Sequence, residues 1–264
     1  MLDNQHFLLL SNPNQNPYLT MKKLIALSFL FVLPLISWAQ DESSEEDSGP
    51  AYMMVQLTYI LPEIGMEDEF EEAVLKHNEK YNSESSYSSQ LWRVRSGEDA
   101  GWYIWTMGPM IYSDLDGAPG KGNHNDAWNK NVAPMISEYG HNENWVYKED
   151  WSHSDGSRND HEIVWFMDIE ETEKDRFGAF MNKVGKLYRE VDKPFMSWSG
   201  SFTSYGRDYA LVIPFADYSW FDTSNWDIET DFDEMYGEGS WEMGMEMMDE
   251  IVVKQTDALW DRVK

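Results

Sequence analysis

GWYIWTMGPMIYSDLD, Gly101 to Asp116, reads as an aromatic strand running into a polar turn, and GRDYALVIPFADYSWFD, Gly206 to Asp222, repeats its outline later in the chain. The pairs Trp92 and Trp198, Tyr103 and Tyr209, Tyr112 and Tyr218, Ser113 and Ser219, and Asp116 and Asp222 share one sequence offset. Phe70 and Phe177, Lys76 and Lys183, and Tyr81 and Tyr188 share an offset one residue longer. Single matches mean little in so aromatic a chain. The order of elements around them carries more weight.

Outward from the first copy, Ala51 to Leu61 alternates and is rich in Val, Leu, Tyr and Met, which predicts a strand. Met66 to Tyr81 carries Phe70, Ala73, Val74, His77 and Tyr81 at helical spacing behind an acidic first turn. Gln90 to Arg95 and Gly101 to Ile111 read as strands, Asp126 to Tyr139 as a helix kinked at Pro134, and Asn144 to Trp151 as a closing strand. The second copy sits in the same order. His161 to Glu170 is a strand, and Thr172 to Glu190 a helix with Phe177, Phe180, Met181, Val184, Leu187 and Tyr188 on one face. Pro194 to Thr203 and Asp208 to Ala216 form a hairpin pair, and Ser240 to roughly Arg262 reads as one long helix. The second unit then lacks its last strand, unless Ala258 to Val263 supplies a short one. The expected organisation is α+β: two tandem ferredoxin-like βαββαβ units at residues 51–151 and 161–264, joined by a linker at residues 152–160.

A four-stranded sheet with helices on one side leaves its other face bare, and two such units in one chain cover each other by packing bare face to bare face. In this element order the chain resembles the dimeric α+β barrel superfamily, which includes antibiotic-biosynthesis monooxygenase-like and NIPSNAP-like domains. The resemblance implies an intramolecular barrel that holds a small aromatic or haem-like ligand inside it or between sheet and helices, with oxygenase or isomerase activity in some members. Haem-degrading relatives use a His from a later helix with Asn and Trp; here the predicted helix Asp126 to Tyr139 contains no His, and His124 precedes it. Chlorite-dismutase-like relatives take a haem-ligating His from the second unit, whose predicted helices contain none. The sequence requires no cofactor; haem and Ca²⁺ are the two it leaves open.

Ahead of the first unit, Met21-Lys22-Lys23, the apolar run Leu24 to Ile36 and Ser37-Trp38-Ala39 form the pattern of an export signal at residues 21–39. Residues 1–20 read as an upstream gene-call extension, and Gln40 to Pro50 as an acidic disordered leader. The expected product is exported, periplasmic or secreted, with no integral membrane contact once the signal is cleaved. The chain has no cysteine, which removes disulfides and thiolate metal sites. Its 20 basic and 48 acidic residues give a net charge of −28, which argues against nucleic-acid partners, because phosphate backbones bind cationic surfaces. Oligomeric state is not set by sequence.

Candidate chemistry is sparse. His77 on the first helix is either an acid/base or haem-ligating residue or a core histidine with its hydrogen bond satisfied. Arg93 and Arg95 share one strand face, opposite Trp92 and Val94, and suit either anion recognition or ion pairs with the abundant carboxylates. Trp92, Tyr103, Trp165 and Trp198 put large rings on strands, where they either stack on a flat ligand or fill the core. On the first strand, Gln56 and Thr58 are read as facing the barrel, and Val55, Leu57 and Tyr59 as facing the helices. Asp227, Glu229, Asp231 and Asp233 alternate in an acidic loop, a spacing open to oxygen ligation of Ca²⁺, though neither this loop nor Asp114 to Asp126 fits an EF-hand. The two resulting readings are a barrel binding a small apolar or aromatic molecule and a non-catalytic interaction or stress-related module with a filled aromatic core.

Overall fold

The computed structural model describes residues 52–264 apart from 84, 118, 120–121, 155–158, 205 and 225. The export signal and acidic leader lie outside the described residues. Strands β1 (Met54–Pro62), β2 (Ser89–Ser96), β3 (Tyr103–Met110) and β4 (Ile136–Tyr147) carry helices α1 (Glu67–Tyr81) and α2 (Asn123–Asn131). Strands β5 (His161–Ile169), β6 (Met196–Phe202), β7 (Tyr209–Phe215) and β8 (Val252–Arg262) carry α3 (Lys174–Glu190), α4 (Trp220–Thr223), α5 (Ile228–Tyr236) and α6 (Ser240–Ile251).

The strands close into one antiparallel barrel in the order β1-β3-β2-β8-β5-β7-β6-β4. Within it the runs β4-β1-β3-β2 and β8-β5-β7-β6 are the same arrangement twice, joined by two seams, β2 with β8 and β4 with β6. Closure leaves no strand edge exposed, so each backbone row finds a partner.

Three predicted elements are corrected by this closure. The long helix stops at Ile251, and Val252 to Arg262 is a full strand that pairs with β5 on one side and β2 on the other. A helix there would leave both neighbouring strands with unpaired backbone, which outweighs local helix preference. The second helix is shorter than expected: Pro134 falls in a 3-10 turn, Ala133–Met135, and β4 begins at Ile136. Glu149–Trp151 is a 3-10 turn rather than strand, and it seats buried Trp151 over α3. The facing of β1 is also reversed. Leu57 and Tyr59 belong to the barrel interior with Val55 beside them, while Gln56 and Thr58 bond Asn144 and Asn142 on the outer side. Both sides of this strand carry apolar residues, so alternation alone does not say which is inside.

Packing falls into an interior and two outer layers. Inside, Leu57, Trp92, Trp145, Val164, Phe166 and Trp260 are among the buried residues. Outside the first sheet, Phe70 and Val74 of α1 meet Ile60, Leu91 and Tyr103. Outside the second, the predicted α3 stripe is buried against Ile169, Leu211 and the α5–α6 pair.

Gly185 on α3 faces the backbone of the 3-10 turn: a Cβ there would lie 2.6 Å from the carbonyl carbon and Cα of Trp151. Backbone cannot rotate aside as a side chain does. Gly185→Ala is therefore expected to destabilise the fold by about 1–3 kcal/mol despite alanine's better helix propensity. Urea unfolding followed by circular dichroism checks this, with a raised midpoint as the contrary result.

Candidate functional site

Inward-pointing residues come from every second position of the strands, so the lining is set by register. Trp92 on β2 and Trp198 on β6 face inward, as do Trp145 on β4 and Trp260 on β8. In register Trp145 pairs with Val55, and Trp260 pairs with Glu162. These pairs are topologically equivalent, so the two halves frame the space with matching tryptophans and differ at Val55 against Glu162.

The enclosed space measures about 390 Å³ and is bounded by Leu57, Trp92, Trp145, Val164, Phe166, Trp198 and Trp260, with Gln90, Thr106 and Glu162 as polar members. A neighbouring recess of about 150 Å³ shares Gln90, Trp92, Glu162 and Met196 and adds Pro194, Pro214 and Arg262. Pro109, on the cavity lining, is exposed, which places the mouth at this end.

The opposite end is sealed by charge. Arg207 donates from Nη2 to Asp99 at 2.7 Å, and from Nη1 to the Tyr59 hydroxyl at 2.9 Å and to Glu143 at 3.2 Å. Its guanidinium lies 4.2 Å from the centre of the Phe166 ring. Glu143 is wholly buried and also accepts from Trp145 Nε1 at 3.0 Å and the Ser204 amide. Each buried charge is thus paired and hydrogen-bonded, as burial demands.

Glu162 is different. It is half-buried at the mouth, and burial pushes its carboxyl up to about 8, an effect the Arg262 guanidinium only partly opposes. Arg262 is engaged with Asp160 at 2.6 Å. Nearby, the buried Trp260 indole N–H has no partner among the described residues. An apolar cavity with a carboxyl raised in this way can hold a flat molecule and exchange a proton with it.

Sequence-predicted residues divide between this cavity and the exterior. Trp92 and Trp198 line it. Tyr103 faces α1, edge-on to Phe70, with its hydroxyl bonded to Glu71; burial raises its pKa. Trp165 packs in the outer layer of the second half. Arg93 and Arg95 point outward: Arg93 lies over the Tyr103 ring, and Arg95 donates from Nε to Asp261 at 2.7 Å. His77 lies under α1, its Nε2 3.1 Å from His124 Nε2, and burial, His124 and Lys80 together lower its pKa to about 4. The alternating acids fall on and beside α5, where residues two apart diverge around the axis. Asp227 caps that helix through Thr230, Asp231 accepts from Trp226 Nε1, Asp233 accepts from the Gly239 and Trp241 amides, and Glu229 is exposed. No group of three or more His, Cys, Asp or Glu gathers among the described residues.

Glu162, Trp145, Trp260 and Arg207 were missed by sequence reasoning. Trp260 lay in a segment read as helix, Trp145 in a polar strand, and Glu162 beside a strand start where a carboxylate ordinarily meets water.

No family model matches the sequence, and no curated protein matches it. Solved structures do. A protein provisionally named a monooxygenase from Fusobacterium nucleatum subsp. nucleatum is 11% identical, with a TM-score of 0.53 over 81% of this chain and 94% of its own. Another so named, from Lactobacillus acidophilus, is 12% identical, with a TM-score of 0.51 over 81% of this chain and 95% of its own. The fold is a dimeric α+β barrel, eight antiparallel strands with helices on the outside. At such identities the likeness bears on the fold alone, and in this chain both halves of that barrel are covalently continuous.

The pH dependence of stability follows from Glu162. The unfolded chain releases this proton near 4.5, whereas the folded protein holds it to about 8. Between those values the folded state binds more protons, so this contribution is complete below 4.5 and is lost as pH rises through 8. Glu162→Gln is expected to raise the melting temperature relative to wild type at pH 9 and to change it little at pH 5. Thermal melts at both pH values test this; an equal difference at each would contradict the assignment.

Proposed function

We propose that the protein binds a small, flat, mostly apolar molecule inside the barrel and that Glu162 exchanges a proton with it. The observation that carries this reading is a lone carboxyl raised to about 8 within an aromatic cavity of about 390 Å³. Preformed pockets of roughly 300–1,000 Å³ with few polar groups are the usual form of small-molecule sites. A barrel packed solid by its own side chains would leave no such space, so the cavity favours this reading over the filled interaction module.

The ligand class follows from the lining. Tryptophan faces favour an aromatic or conjugated ring, and the Glu162 carboxyl on the lining calls for an oxygen at its edge that can share the proton. A phenol or an enolisable ketone has both features. Glu162 would donate to the oxygen while protonated and withdraw a proton once ionised, which is the first step shared by isomerase-like and oxygenase-like chemistry on such molecules. Among the described residues the cavity lining itself holds no imidazole, the nearest being His153 on the adjoining recess, and nothing here is routed through haem. The Lys22-Lys23 and Leu24 to Ile36 pattern supports a place of action outside the cytoplasm.

2-Naphthol, titrated against tryptophan fluorescence, is the probe. Wild type is expected to bind it saturably, and Val212→Trp, which fills the cavity from β7, to weaken binding at least about 10-fold, or 1.4 kcal/mol. Equal affinity in the two proteins would sink the proposal.

A further inference from the structure

On the outside of the barrel, between α1, α2 and the first sheet, two short contacts meet at His124 Nε2. His77 Nε2 lies 3.1 Å from His124 Nε2, and His124 Nε2 lies 3.3 Å from Asn82 Oδ1. With both imidazoles neutral, one Nε2–H at most can lie between the two rings, and His124 Nε2 also faces the Asn82 oxygen. The orientation of each member is independently fixed. Asn82 is buried, and its amide nitrogen donates to the Tyr87 carbonyl at 3.2 Å, which turns Oδ1 toward the histidines. His124 Nδ1 lies 3.4 Å from Asn125 Oδ1, so a proton on Nδ1 leaves the Nε2 lone pair free. His77 is held edge-on against Trp128.

We propose that His77, His124 and Asn82 form a binding site for a borderline divalent transition-metal ion, of the Zn²⁺, Ni²⁺ or Cu²⁺ class. An ion about 2.1 Å from each imidazole nitrogen suits the observed nitrogen separation, and imidazole selects these metals over Mg²⁺ or Ca²⁺. Among the described residues no carboxylate completes a cluster of three His, Cys, Asp or Glu, so water occupies the remaining positions. His77 also borders a groove of about 400 Å³ with Glu69, Glu72, Lys76, Lys80 and Asn131. The site is separate from the barrel cavity, whose lining includes none of these three residues.

The test is calorimetric titration with Zn²⁺ of protein free of any histidine tag and stripped with EDTA, in excess Mg²⁺ to occupy the acidic surface. Wild type is expected to bind one equivalent, and His124→Gln, altered at a half-buried position, to bind at least about 10-fold more weakly. Electron paramagnetic resonance with Cu²⁺ should show two coupled nitrogens in wild type and one in His124→Gln or His77→Gln. Unchanged Zn²⁺ affinity in folded His124→Gln would overturn the site. So would an absence of Zn²⁺ binding under Mg²⁺, which would leave a shared hydrogen bond as the whole role of the pair.

Discussion

The structure depends on the two seams, β2 with β8 and β4 with β6, where strands of different halves exchange backbone hydrogen bonds. Without them each half would offer two raw strand edges and a bare apolar sheet face to water. With them, every alternate residue of eight strands is committed to one shared interior. The seams explain why β8 is a strand in spite of its sequence. They also explain why the cavity is lined by both halves, so neither half could build it alone.

Equivalent positions need not stay alike once they lie in one chain, and the barrel exploits this. Trp145 gives its indole N–H to Glu143, whereas that of its counterpart Trp260 has no partner among the described residues, and Glu162 stands where the first half has Val55. Arg207 ties Asp99, Glu143 and Tyr59 together at one end only. The interior is thereby polarised: one end is a satisfied ionic seal and the other an unsatisfied polar mouth. In a homodimer of identical halves each feature would occur twice at its own end, because β1 and β5 run in the same direction along the barrel; here each occurs once.

Much of the fold could be read in the sequence wherever burial is one-sided. The α3 stripe from Phe177 to Tyr188 has one apolar face because one side of that helix meets water, and its period is clear. Strands buried on two sides lose that signal, which is why the facing of Val55, Leu57 and Tyr59 was inverted. β8 failed for a different reason: its conformation is dictated by neighbours distant in sequence, at Trp92 to Ser96 and His161 to Ile169. Trp92 and Trp198 were recognisable as ring-bearing strand residues. Glu162 was not, because a glutamate near a strand end looks the same whether it meets solvent or a cavity. His77 stood out from its apolar stripe, but its meeting with His124 depends on α2 crossing α1.

Charge sets a final constraint on what the cavity can hold. The chain carries −28, so an anion approaching the mouth is repelled and a neutral molecule is not. Inside, few polar groups solvate a second negative charge. A protonated Glu162 meeting a neutral phenol or ketone leaves the cavity uncharged; an ionised Glu162 that takes the ligand's proton only moves one negative charge from carboxylate to ligand oxygen. In neither state do two anions face each other. An acid raised to about 8 in such a cavity therefore favours ligands whose own acidity lies close to that value, because proton exchange is most nearly balanced there.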